Sequence, residues 1–335
     1  MDLGRRRYLE FEKPLQDLDE QIAKLKELKL QGNVDISSEI RDLEEKALSL
    51  SKSISRGLNA YQKVQISRHP DRPNFLGYVK LIFDDFVELH GDRNFRDDPA
   101  IVGGLAQFNG QSVMLIGHQK GQNTQENMLR NFGMPRPEGY RKALRLMSLA
   151  ERWEIPVLTF VDTPGAYPGL DAEERGQAEA IAKNIMVMSG LRVPILTTIL
   201  GEGGSGGALA IAVCDRLMMM EYSTYSVISP EGCAAITWKD GKFAEQAAEA
   251  LRLTAPQVLD LGVADLLVPE APGGAHRDRG FSAQNLKEAI EKNLPQLIAK
   301  DVEQLLAERY EKFRRLGCLS GDASGQAKNA KRNRK

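Results

Sequence analysis

Residues 201–213 read GEGGSGGALAIAV, and five of the first seven are glycine. The stretch carries one carboxylate, Glu202, and one hydroxyl, Ser205; the rest is small and apolar. An apolar, strand-like run, PILTTIL (194–200), leads into it. Strand, bare loop and short helix is therefore the local reading. At the start of a helix the first amide N–H groups lack partners, and the macrodipole adds partial positive charge. Such donors stabilise an oxygen that turns anionic during a reaction. Glycine at 206 and 207 leaves them uncovered, so the backbone itself is the candidate catalytic group. Close helix–sheet packing accounts for Gly207, Ala208, Ala210 and Ala212. It does not account easily for the glycines ahead of the helix, each disfavoured by roughly 0.5–1 kcal/mol of chain entropy. Contact with a ligand would account for them.

A second stretch resembles the first. IPVLTFVDTPGAYPG begins at Ile155 and VPILTTILGEGGSGG at Val193, 38 residues later. Repetition of strand, loop and helix predicts βα units with parallel strands and both loops leaving on one side. The loop DTPGAYPG then offers further amides, at Gly165 and Ala166, or forms the pocket wall. Tyr167 is a candidate to pack on a ligand ring, a buried structural tyrosine being the equal alternative.

Elsewhere, residues 1–66 predict a helical hairpin of two amphipathic helices broken at Gly32-Asn33. Its single apolar stripe needs burial against the main domain or a partner. RHPDRP (68–73) marks a boundary. NFLGYVKLIFDDFVELHGDR predicts a helix ending near Gly91. IVGGLAQFNGQSVMLIGHQ predicts a hairpin turning at Asn109-Gly110, and PEGYRKALRLMSLAERW a helix. RLMMME predicts a short strand, PEGCAAITW and FAEQAAEALRL helices, and APGGAHRDRG a loop. Further helices fall near 282–298 and 301–316. Residues 67–317 form the main domain, and 318–335 a disordered basic tail.

The 335 residues are 42% hydrophobic and 27% charged, with net charge −1. This is a globular balance with no global field for nucleic acid. The basic ends, Arg5–Arg7 and Lys328, Lys331, Arg332, Arg334 and Lys335, read as solvated termini; a nucleic-acid-binding scaffold is the non-catalytic alternative. Three scattered cysteines, Cys214, Cys233 and Cys318, form no C-x-x-C pair. No metal site is expected from them, and a reducing, cytoplasmic setting fits. No apolar run approaches the ~20 residues of a membrane span.

Three motifs overlap these loops. Gly201, Gly203 and Gly206 satisfy G-x-G-x-x-G, with Glu221 placed for a ribose, but the following helix is short for a dinucleotide fold. Gly203, Ser205 and Gly207 satisfy the G-x-S-x-G elbow of serine hydrolases, with His276 downstream in a loop as the partner. VDTPG contains D-x-x-G, but no phosphate-cradling loop accompanies it.

VDTPGAYPGLDAEERGQAEAIA, GEGGSGGALAIAVCDRL and EYSTYSVISPEGCAAITWKD resemble the acetyl-coenzyme A carboxylase carboxyltransferase alpha-subunit family of the bacterial and plastid multi-subunit type. FEKPL, LHGDR and GHQKGQNTQENMLRNFGMPRPEGYRKALRLM are similar too, so the resemblance spans about residues 8–317. It implies an α/β, crotonase-like spiral of ββα units. It implies transfer of a carboxyl group from carboxybiotin, borne by a biotin carboxyl carrier protein that a biotin carboxylase serves, to acetyl-coenzyme A. It also implies a beta-subunit partner that carries zinc, in an α2β2 assembly.

By the same resemblance the Gly206 and Gly207 amides hold the ureido oxygen, with Gly203, Gly204, Ser205, Gly165, Ala166 and Tyr167 around the substrate. His118 and Lys120 follow a strand end and are candidates to touch the ligand or the coenzyme A phosphates, an exposed loop being the ordinary reading. Glu231 is expected at a helix start, and Asp162 is expected to bond loop amides rather than act as a base.

Overall fold

The computed structural model describes residues 7–32 and 36–317. Arg5, Arg6, Asn33, Cys318 and the basic tail lie outside them. The chain begins with α1 (Lys13–Gln31) and α2 (Ser37–Arg56), the expected hairpin, followed by α3 (Ala60–Ser67) and α4 (Phe75–Ile82). Strands β1 (Asp84–Glu88), β2 (Ile101–Phe108) and β3 (Gln111–His118) come next, then α5 (Thr124–Leu129) and α6 (Pro137–Arg152). β4 (Val157–Thr163) leads to α7 (Leu170–Glu174) and α8 (Gln177–Gly190). β5 (Ile195–Gly204) runs directly into α9 (Ser205–Leu209). β6 (Arg216–Met220), β7 (Thr224–Ser226), α10 (Pro230–Trp238), α11 (Ala244–Leu251), α12 (Ala255–Asp260), β8 (Leu266–Val268), α13 (Arg279–Ile298) and α14 (Val302–Arg314) complete it.

The strands make one mixed sheet in the order β1-β2-β3-β4-β5-β6-β8, with β7 paired to the end of β5. The first three are antiparallel and the rest parallel. Side chains alternate between the two faces, as strand geometry requires. Met114, Ile116, Val157, Val161, Ile195 and Ile199 pack with α6 and α12. Val113, Leu115, Leu158, Phe160, Leu196 and Leu200 pack with α4 and α13. Burial on both faces explains why β4 and β5 read as continuous apolar runs.

Several expectations need correction. The helix predicted through Gly91 stops at Ile82, and Asp84–Glu88 is an edge strand instead. Its close partner is bare backbone: a Cβ on Gly104 would lie 2.0 Å from the Val87 carbonyl oxygen. The short elements α3, α5, α12, β7 and β8 were not anticipated; each is too brief to show a period. The boundary drawn at residue 66 falls just inside α3, whose Ala60 and Val64 pack on Ala248 and Leu253.

The hairpin docks on the main domain. Ser51 donates to the Pro272 carbonyl (2.9 Å) and Arg277 pairs with Asp19 (2.8 Å). Glu12 lies 3.4 Å from His276, whose ring stacks on His69 with centroids 3.8 Å apart and planes 12° from parallel. The His276 side chain is therefore buried, not that of the exposed loop histidine expected. Ligand-type atoms of Glu12, His69 and His276 lie within 4.8 Å of one another. However, His69 Nδ1 accepts from the Asp71 amide and its Nε2 faces the Arg7 carbonyl. Near-parallel rings also cannot aim lone pairs at one ion, so the cluster is a polar clamp. At the other end, buried Arg309 of α14 bonds both oxygens of Asp215 and the carbonyls of Met188, Leu191 and Val193.

Burial, and then the charge of His276, push His69 down to about 4. From the ordinary imidazole value of about 6.5 down to about 4, the unfolded chain binds a proton that the folded chain does not. Stability therefore falls as pH falls through that window. Melting temperature should be flat above pH 7 and decline from pH 6.5 to 4, and His69→Gln should flatten part of the decline in thermal melts.

Candidate functional site

β4 and β5 pair from Val157↔Ile195 to Val161↔Ile199, with each partner 38 residues on, and Thr159 and Thr197 share a buried 2.7 Å hydrogen bond. The register then slips, so that Thr163 pairs with Gly203. This bulge brings the two glycine-containing loops face to face, as bulges beside sites commonly do. A Cβ on Gly204 would lie 2.1 Å from the Pro164 carbonyl oxygen. One on Gly207 would lie 2.4 Å from the Gly165 carbonyl carbon and 2.5 Å from the Ala166 nitrogen. Gly201 and Gly203 are equally confined, by Asp162 and by the Tyr225 ring, at 2.6 Å each.

Close packing thus explains most of these glycines, contrary to the sequence reading. Gly206 differs: its Cβ would meet only the tip of Ile181, at 3.8 Å. Nothing in the described protein requires glycine there, whereas an approaching ligand would. Gly165, at φ +155°, likewise faces open space. The amides of Gly206 and Gly207 sit in the first turn of α9 and make no hydrogen bond among the described residues. In the opposite loop the Gly165 amide is engaged by Thr163 Oγ1 (3.1 Å) and the Tyr167 amide by the Pro135 carbonyl (3.0 Å). Of that pair of candidates, Ala166 alone keeps an N–H without a hydrogen bond among the described residues. Tyr167 is half-buried, with the Arg136 guanidinium 4.3 Å above its ring.

Ser205 is exposed and takes φ +52°, a left-handed conformation that few non-glycine residues adopt. It has no histidine partner. His276 is in the clamp described above, and His118 is turned to the backbone of Gly207 and Phe160. Glu221, the candidate ribose ligand, accepts from the Glu270 amide (3.0 Å), and α9 is only five residues long.

His118 and Lys120 do not lie in an open loop. His118 is fully buried at the end of β3 against the backbone of Gly207 and Phe160. Burial, then the Lys120 charge, push its pKa down to about 3, so it is neutral. The Lys120 ammonium lies 2.8 Å from both Asp162 and Glu202. Burial opposes its charge, but the two carboxylates outweigh this and raise its pKa. Asp162 also accepts the Glu202 amide (3.0 Å), as the expectation for an amide-bonding aspartate required. Glu202 pairs through its other oxygen with Arg68 (2.6 Å), which bridges to Glu231 (2.7 Å) at the start of α10. Burial resists the Glu202 charge, and Lys120 and Arg68 overcome it to hold the carboxyl below its usual range. Sequence reading gave Glu202 and Arg68 no role. The available signal was an acid at the end of each of two similar strands, Asp162 and Glu202.

The family model described as acetyl co-enzyme A carboxylase carboxyltransferase-like matches residues 8–317. A protein of Alcanivorax borkumensis named acetyl-coenzyme A carboxylase carboxyl transferase subunit alpha is 55% identical, over 95% of this chain and 99% of its own. Proteins of the same name from Aromatoleum aromaticum (61% identical; 85% and 88%) and Methylococcus capsulatus (56%; 97% and 100%) are similar. The chain belongs to this family. Among solved structures, transcarboxylase 12S matches with TM-score 0.55 at 18% identity, over 71% of this chain and 45% of the other. A Pseudomonas malonate decarboxylase hetero-tetramer matches with TM-score 0.53 at 17% identity, over 70% and 92%. The fold is the crotonase-like one: β2, β3 and α6 form a ββα unit, and β4 and β5 each lead into helices.

Packing and ligand-facing glycines are separable. Gly206→Ala should melt within about 2 °C of the parent. Gly204→Ala and Gly207→Ala, which overpack the loop contact, should each lose about 1–3 kcal/mol. Thermal denaturation of the three variants checks this.

Proposed function

We propose that this member of the carboxyltransferase family is the alpha subunit of the carboxyltransferase of acetyl-coenzyme A carboxylase. It forms malonyl-coenzyme A, for fatty acid synthesis, from acetyl-coenzyme A and the carboxyl group of carboxybiotin. The observation that carries the mechanism is the pair of unbonded amides at Gly206 and Gly207, in a helix turn with open space in front of Gly206.

Carboxybiotin supplies a carboxyl group that leaves as CO2, with its electron pair retained on the ureido group. The two amides and the α9 macrodipole stabilise that charge where it gathers on the ureido oxygen. The Ala166 amide across the gap is placed to join them. With the charge held there, the ureido nitrogen can take the α-proton of acetyl-coenzyme A. The resulting enolate then forms its carbon–carbon bond to CO2. No side-chain base is needed, consistent with a buried His118 whose lowered pKa makes it a weak proton acceptor and with an engaged Asp162.

The acyl-coenzyme A thioester belongs mainly to a beta subunit in this reading, and that subunit holds the zinc. The biotin arrives on a carrier protein charged by a biotin carboxylase, in the cytoplasm. Exposed apolar Leu170, Leu209, Val227 and Ile236 lie on the elements flanking the loops, a composition suited to a protein partner.

The alternative is a serine hydrolase using Ser205, and its left-handed φ is the one feature in favour. Two variants decide between them in the enzyme assembled with its beta subunit and biotin carrier. Gly206→Val should lower malonyl-coenzyme A formation about 100-fold, the scale of losing an oxyanion contact, while purifying with its partner. Ser205→Ala should stay within about tenfold of the parent. No malonyl-coenzyme A from the parent, with thioester or peptide hydrolysis that Ser205→Ala abolishes and Gly206→Val keeps, would replace this reading with the hydrolase.

A further inference from the structure

Lys120 stands at the point where the β4–β5 register slips. Before Asp162 the partners are 38 residues apart; after it Thr163 faces Gly203, so β5 carries two extra residues across the bulge. The strand ladder no longer fixes the separation of the strands there, and side chains must. Asp162, at the end of β4, accepts the Glu202 amide of β5. The Lys120 ammonium contacts both carboxylates at 2.8 Å.

The lysine is itself held rigidly. Its carbonyl accepts from the Asn74 amide group (3.0 Å), and a Cβ on Gly133 would come within 2.8 Å of its Cγ. Gly133 needs to be glycine on a second count, its φ of +76°. A side chain two residues beyond β3 thus reaches across the ends of β4 and β5. Immediately beyond the clamped residues are Pro164, Gly165 and Ala166 on one side, and Gly203 to Gly207 on the other. These loops touch backbone to backbone, so a shift of either carboxylate moves the amides.

The geometry points to Lys120 as a positioning residue: its ammonium, held between Asp162 and Glu202, fixes the spacing of the two loops and so aims the amides of Gly206, Gly207 and Ala166 at one oxygen. This rests on the amide-based reading of the site. Amides that matter only where charge develops should be felt in the rate of the chemical step and little in substrate affinity. A displacement of about 1 Å is sufficient for a large rate loss.

The test uses the alpha subunit assembled with its beta partner, two variants, and the reverse reaction, in which malonyl-coenzyme A gives up its carboxyl group to free biotin and leaves acetyl-coenzyme A. Lys120→Met removes the ammonium but leaves two buried carboxylates facing each other. Lys120→Met with Glu202→Gln restores the charge balance without restoring the clamp. Both should lose about 30-fold or more in kcat per assembled enzyme, with KM for biotin and for the acyl-coenzyme A within about threefold of the parent. If Lys120→Met fails to assemble, the double variant decides alone. A double variant with parental kcat would overturn the proposal, since the lysine would then only balance charge. A loss appearing in KM with kcat kept would also overturn it. Gly206→Val measured alongside separates the two levels. If it is inactive while the Lys120 variants are normal, positioning alone fails; if it is fully active, the amide reading fails.

Discussion

The site depends on a mismatch between two neighbouring parallel strands. β4 and β5 are in perfect step over their buried halves and lose it by two residues at their carboxyl ends. In step, they form the centre of the sheet and the base of both apolar layers. Out of step, they bend their loops toward each other until glycine backbone meets proline and glycine backbone. The fold and the candidate chemistry therefore meet at one slip in a hydrogen-bond ladder. Parallel α/β sheets generally bind ligands beyond the carboxyl ends of their strands, and this slip shapes that end.

Much of this was legible in the sequence because it was local. The 38-residue spacing of two similar stretches is the strand register itself. The Asn109-Gly110 turn, the helix opening at Pro137 and the glycine loop before a stubby helix all carry their signals within a few residues. What the sequence could not reveal was which glycines were needed for which reason. Gly204 and Gly206 look alike in the string. One is pressed against a carbonyl and the other faces open space, a difference that only the opposite loop creates.

The misread side chains share a cause. His118, Lys120 and His276 lie in polar or glycine-rich stretches, where exposure is the ordinary expectation. Each is covered by residues distant in sequence: Gly207 lies against His118, Asp162 and Glu202 against Lys120, and Glu12 and His69 against His276. Lys120 could be recognised as half-buried and ion-paired only by matching it with two acids 42 and 82 residues away. The strand assigned to the tail of a predicted helix, Asp84–Glu88, failed likewise, since its partner strand β2 begins 13 residues further on and approaches it closely at Gly104.

The clamp formed by Glu12, His69 and His276 has a bearing on how the chain is made. Its first member, Glu12, is synthesised long before its last, His276. The Ser51 contact to Pro272 spans 221 residues in the same way. The amino-terminal hairpin must therefore wait on the ribosome with its greasy side uncovered until the receiving loop appears. It is made long before the loop that receives it, and nascent chains stalled before residue 270 should be those in need of a chaperone.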